Sequence, residues 1–125
     1  MGILLETNVL LWYVHGDNRL KSSYYEIIDN PSSNVYVSAA SIWEIAIKYR
    51  LGQLELLPDI DRFLDTHVLN GAYKVLPVNA LHAKYVSRLP FYHRDPFDRL
   101  IYAQSVVSKM EFFYTDEIFN QYRGL

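Results

Sequence analysis

ILLETNVLLWY, residues 3–13, is the stretch on which the fold turns. A short apolar run, residues 3–5, stops at an acid, Glu6, and a second apolar run follows Thr7 and Asn8. The first run is almost unbroken in apolar residues, as a strand buried on both faces requires. The second, residues 8–16, reads as a short helix closed by Gly16. A carboxylate is costly beside a core. Glutamate is a poor N-cap, and Thr7 and Asn8 suit that task better. Glu6 therefore needs another reason to stand at the end of a buried strand.

The alternation continues outward from there. Residues 19–30 form a helical pattern with Leu20, Tyr24, Ile27 and Ile28 on one face, and residues 34–39 read as strand 2. Residues 41–52 are a strong helix with a stripe of Ile42, Ile45, Ala46 and Tyr49, and Gly52 is placed to cap it. Further helices are expected over 60–72, 79–89 and 95–110, with strands over 73–78 and 111–115 and a terminal helix or turn over 116–124. Strands separated by helices predict a three-layer α/β sandwich, a central parallel sheet of four to five strands with helices on both faces. Residues 1–125 read as one domain, a size that buries roughly two-thirds of the unfolded chain's surface.

In such sheets a site forms at the carboxyl ends of the strands. Acids stand at those ends. Glu6 closes strand 1, Glu44 lies in the first turn after strand 2, Asp95 and Asp98 open the long helix, and Asp116 follows strand 4. Each also has a structural reading. Ser41 and Glu44 fit a capping box, and Glu44 can pair with Lys48. Asp95 is a natural N-cap before Pro96, Asp98 favours the helix dipole, and Thr115 or Asp116 can cap the last helix. Glu6 resists such a reading best. Crowded carboxylates raise one another's pKa. A divalent cation relieves that, and all-oxygen ligands suit Mg²⁺ or Mn²⁺. Such a cation can activate water against a phosphodiester. His82 and His93 are not expected to be primary ligands.

Composition narrows the classes. With no cysteine, disulfides, thiol catalysis and thiolate metal sites are excluded, and the chain fits a reducing cytoplasm. No apolar run approaches the ~20 residues of a membrane helix, no basic signal region is present, and Glu6 breaks the myristoylation pattern. Twelve Lys and Arg against fourteen Asp and Glu give a net charge of −2, so nucleic acid is not attracted in bulk. Basic residues gather locally at His93, Arg94 and Arg99, and at Lys48 and Arg50. The first three are candidate phosphate contacts, with an ion pair to a nearby acid as the other reading of Arg99. Eleven tyrosines and two tryptophans suit core, interface or base stacking. Trp12, Tyr13, Trp43 and Ile47 exceed what one helix face buries, which suggests a homodimer. A phospho-acceptor domain would want paired acids after strand 1 and an Asp after strand 3. The chain has one acid and Asn79 there.

LLETNVLLW, VSAASIWEIAIKYRLGQLEL, LPFYHRDPFDRLIYAQS and TDEIFNQY, in this order and spacing, resemble the PIN-domain family, in particular the VapC-type toxins of toxin–antitoxin pairs. The resemblance runs almost end to end. It implies a parallel sheet sandwiched by helices, metal-dependent cleavage of RNA, a homodimer and a cognate antitoxin partner. The family's four acids fall on Glu6, Glu44, Asp98 and Asp116, which it makes both catalytic residues and Mg²⁺ ligands. Two positions depart from the family pattern. The first acid is glutamate where aspartate is usual, and Tyr114 stands where many relatives have a small hydroxyl residue, with Thr115 one place later. The longer Glu6 predicts weakened cleavage. The alternative is a catalytically impaired PIN-like protein acting through antitoxin or RNA binding.

Overall fold

The computed structural model describes residues 2–122. Four short strands, β1 (Ile3–Leu5), β2 (Val35–Ser38), β3 (Lys74–Leu76) and β4 (Glu111–Phe113), form one sheet in the order β3-β2-β1-β4. Every pairing is parallel. Parallel strands need long crossovers. These are supplied by α1 (Thr7–His15), α2 (Ser22–Asp29), α3 (Ala39–Arg50), α4 (Ile60–His67), α5 (Ala80–Tyr85) and α6 (Pro96–Val107), with 3₁₀ turns at Val86–Arg88 and Glu117–Tyr122.

β1 is central, and its alternation explains both layers. Ile3 and Leu5 pack on one face with Val9, Leu10, Ile45, Phe63 and Phe113. Leu4 packs on the other with Ala40 and Ile101. All three strand residues are buried, which is why the run carries no polar residue before Glu6.

Several boundaries differ from the sequence reading, each for a local reason. α3 begins at Ala39, because the Ser38 hydroxyl accepts from the Ala40 N–H at 2.9 Å and caps the helix. The expected Ser41–Glu44 capping box therefore does not form. Ser41 instead accepts a bond from the Thr7 hydroxyl at 2.9 Å, tying α1 to α3. α2 starts only at Ser22, since Asp17 folds the preceding chain by accepting from the Arg19 N–H and guanidinium. α4 stops at His67, where Asn70 donates to the Thr66 carbonyl and accepts from the Ala72 N–H. α6 ends at Val107, and Lys109 takes a left-handed φ of 54°. The expected terminal helix or turn is a 3₁₀ turn over Glu117–Tyr122, and Arg123 and Gly124 lie outside the described residues.

Gly52 has the role expected of it. At φ 75° its N–H donates to the Tyr49 carbonyl while the Gln53 N–H donates to that of Lys48, satisfying the end of α3. No helix among the described residues is long and apolar enough to cross a membrane.

Candidate metal centre

Each acid reaches the carboxyl edge of the sheet on a different element. Glu6 follows β1 at the N-cap position of α1, but its side chain makes no cap bond. It crosses to the far end of the chain, where Oε1 accepts from the Thr115 N–H at 2.9 Å and the Thr115 hydroxyl at 2.7 Å. Its other oxygen, Oε2, is buried with no hydrogen-bond partner. Burial pushes the Glu6 carboxyl above its ordinary pKa, Thr115 works against that, and Asp116 adds to it.

Glu44, one turn further into α3 than expected, is also buried. Lys48 donates to its Oε2 at 2.6 Å, so the expected i,i+4 pair is present, while Oε1 has no partner. Burial pulls the Lys48 ammonium down, but Glu44, Asp95 and Asp98 together hold it above its ordinary value.

Asp95 caps α6 as the sequence indicated, accepting from the Asp98 N–H at 2.9 Å, with Pro96 in the first turn. That bond fixes the turn on which Asp98 stands. Asp98 is pushed up to about 8 by burial first, then by the negative charges of Glu6, Asp95 and Glu44, with Lys48 opposing. Asp116 starts the last 3₁₀ turn and is exposed; its Oδ1 accepts from the Ile118 N–H at 3.0 Å. The topology thus brings Asp98 within electrostatic reach of Glu6 and Glu44, and Glu6 within reach of Asp116.

His93 stands between two of them, Asp98 and Asp116. Its Nε2 is 3.1 Å from Asp98 Oδ2 and 3.2 Å from Asp116 Oδ2, within ion-pairing distance but aligned with neither as a hydrogen bond. Its Nδ1 accepts from the Asp95 N–H at 3.0 Å, so the proton of the neutral ring lies on Nε2 between the two acids. The ring rests against Phe119. Sequence reasoning assigned His93 to phosphate and overlooked both this position and the anchoring role of Thr115. The only sequence signal for either was proximity to an acid: His93 two residues before Asp95, and Thr115 directly before Asp116.

The other two basic candidates separate. Arg94 is exposed. Arg99 is buried, and its guanidinium donates to the carbonyls of Val86, Leu89, Pro90 and His93 and to the Tyr122 hydroxyl. This corrects both expectations for Arg99: it is turned inward, away from any phosphate, and its partners are carbonyls rather than an acid.

Among the described residues, no three acids or histidines converge as a preformed metal-ligand set. The reason is visible in the partners: Glu6 is held by Thr115, Glu44 by Lys48, and Asp98 and Asp116 both face His93. The chemistry nevertheless fits a hard divalent cation. The donors are carboxylates, two buried carboxylate oxygens among the described residues are unpartnered, and burial together with the neighbouring carboxylates pushes Asp98 up to about 8.

Residues 3–125 match the PIN domain family. No curated protein matches the chain significantly. A solved structure, VapBC2 from Rickettsia felis bound to a DNA fragment from its promoter, shares the fold with a TM-score of 0.70. It is 16% identical, with 100% of this chain and 96% of that chain covered.

Proposed function

Because this chain belongs to the PIN-domain family, we propose that it is a Mg²⁺-dependent endoribonuclease of the VapC type, the toxin of a toxin–antitoxin pair. The observation that carries the reading is the gathering of Glu6, Glu44, Asp98 and Asp116, with two buried carboxylate oxygens left unpartnered. Glu6, Asp98 and Asp116 would hold the cation, Mg²⁺ or Mn²⁺, with Glu44 completing its shell or positioning water. A bound cation supplies Lewis acidity, activating water and stabilising charge on the phosphodiester oxygens.

The chain's own residues prepare that chemistry. Thr115 fixes Glu6 Oε1 and leaves Oε2 as the donor, and Lys48 does the same for Glu44, leaving Oε1. Asp98 must give up its proton to become a ligand. His93 must turn from between Asp98 and Asp116 before the two can share one ion, and so released it, with exposed Arg94, can meet the RNA backbone. The reading places the protein in the cytoplasm, with a cognate antitoxin whose acidic or apolar tail covers the groove.

A homodimer is part of the proposal, but its support is narrower than the sequence suggested. Trp12 is covered by Arg19, 4.5 Å from its ring, and Tyr13 donates to Asp29 at 2.8 Å. Trp43 remains, 58% exposed and edge-on to Phe97 beside the acids.

The second reading, an impaired PIN-like binding protein, is favoured by one observation. The longer Glu6 side chain is engaged twice by Thr115, as a structural link between the first and last strands would be. Incubation of the chain and its Glu6→Asp variant with RNA and Mg²⁺ or Mn²⁺ separates the two. We expect EDTA-sensitive cleavage, lost in Asp98→Asn and faster by roughly 10- to 100-fold in Glu6→Asp, the scale at which ångström-level placement acts. Absence of cleavage by both the chain and Glu6→Asp would sink the nuclease reading.

A further inference from the structure

The sheet has a second edge. At its amino end, where α1, α2 and α4 finish and β2 and β3 begin, lies a cleft of about 620 Å³. Ligand-sized clefts run about 300–1,000 Å³. The acids of the metal centre are at the opposite, carboxyl edge.

Its lining has a consistent sign. Tyr13, Tyr25 and Tyr73 contribute three phenol rings, the first two 5.2 Å apart. Among the described residues Asp29 is the one carboxylate in the lining, held by the Tyr13 hydroxyl through Oδ1. Among the described residues, neither lysine nor arginine lines the cleft, and only His67 can carry positive charge there. The last turns of three helices end at this cleft, and helix C-termini carry partial negative charge. Aromatic faces attract cations through the ring quadrupole. Burial holds the Tyr73 phenol up at about 12, so that hydroxyl is neutral and not a competing anion.

We propose that this cleft is a binding site for an alkylammonium cation, with Asp29 as its counter-ion and the three tyrosines as its walls. The cation can be a free diamine or the lysine side chain of a partner protein. The site stands independently of the nuclease reading, because none of its residues belongs to the acid cluster.

Titration calorimetry on the full chain tests it, with 1,4-diaminobutane and N-acetyl-lysine amide as probes and 1,4-butanediol as the neutral control. We expect one site for an ammonium probe and none for the diol. A response to the diamine alone identifies a free ligand, and one to the lysine derivative identifies a side-chain source. Asp29→Asn, which keeps an acceptor for Tyr13, should weaken binding roughly tenfold. Tyr25→Ala, at a ring already 45% exposed, should weaken it about threefold. Asp98→Asn should leave it unchanged. If neither ammonium probe binds, if the diol binds equally well, or if Asp98→Asn abolishes binding while Asp29→Asn and Tyr25→Ala preserve it, the proposal is overturned.

Discussion

Asp98 concentrates the electrostatic problem of the carboxyl edge in one side chain. Its ordinary pKa is 3.8, and in the folded protein it is about 8. The folded state therefore binds more protons than the unfolded state between those values. The stabilisation linked to this proton is complete below about pH 4 and is lost as pH rises through 8. In EDTA, the melting temperature should fall between pH 5.5 and 8.5, and Asp98→Asn should flatten that fall. Adding Mg²⁺ or Mn²⁺ at pH 8.5 should raise the melting temperature of the unsubstituted chain and have a smaller effect on Asp98→Asn. Scanning fluorimetry across pH reads all three. A pH-independent melting temperature in EDTA would remove the basis for crowding at this site. That Asp98 opens a helix behind Asp95 and Pro96 was legible in residues 95–98, because capping chemistry is local. Its contact with His93 was not, because that depends on how the loop before α6 folds back.

That loop is shaped by an element-scale device. Arg99, on the second turn of α6, gathers four carbonyls and one hydroxyl from the chain between Val86 and His93 and from Tyr122. Phe91 covers it, with the guanidinium 4.2 Å from the ring centre. A buried charge whose hydrogen bonds go to four backbone carbonyls and one tyrosine hydroxyl pins a loop that has no regular structure of its own after residue 88. Arg99→Ala should cost about 3 kcal/mol or more, since it leaves several carbonyls unpaired at once. Urea denaturation would report this as a lower midpoint at similar slope. A phosphate-binding role would instead lower RNA affinity and leave the midpoint unchanged. Element identity was readable along most of the chain, because strands and helices differ in apolar period. Element ends were less readable, because Ser38, Asp17 and Asn70 settle them through side-chain bonds that other nearby polar residues could equally have made. Arg99 was misread for a related reason: an arginine among basic neighbours looks like a surface patch until the loop that buries it is placed.

At the scale of the whole molecule, parallel pairing in the order β3-β2-β1-β4 puts the first and last strands side by side. This pairing gives the edge its acids and leaves the α3–α6 face with Trp43 and Phe97 beside them. If that face joins two copies, sedimentation should show a dimer for the unsubstituted chain and a monomer for Trp43→Glu, with an unchanged melting transition for the dilute monomer. A monomer in both cases would remove Trp43 as evidence for self-association. The bond from Thr115 to Glu6 spans 109 residues of sequence. Synthesis proceeds from the N-terminus, and a domain folds as a unit. Glu6, Glu44 and Asp98 are therefore made long before the strand and turn that carry Thr115 and Asp116. An unfinished chain on the ribosome has neither the clamp on its first acid nor the last acid. The carboxyl edge therefore stays incomplete until the strand and turn that carry Thr115 and Asp116 have been made.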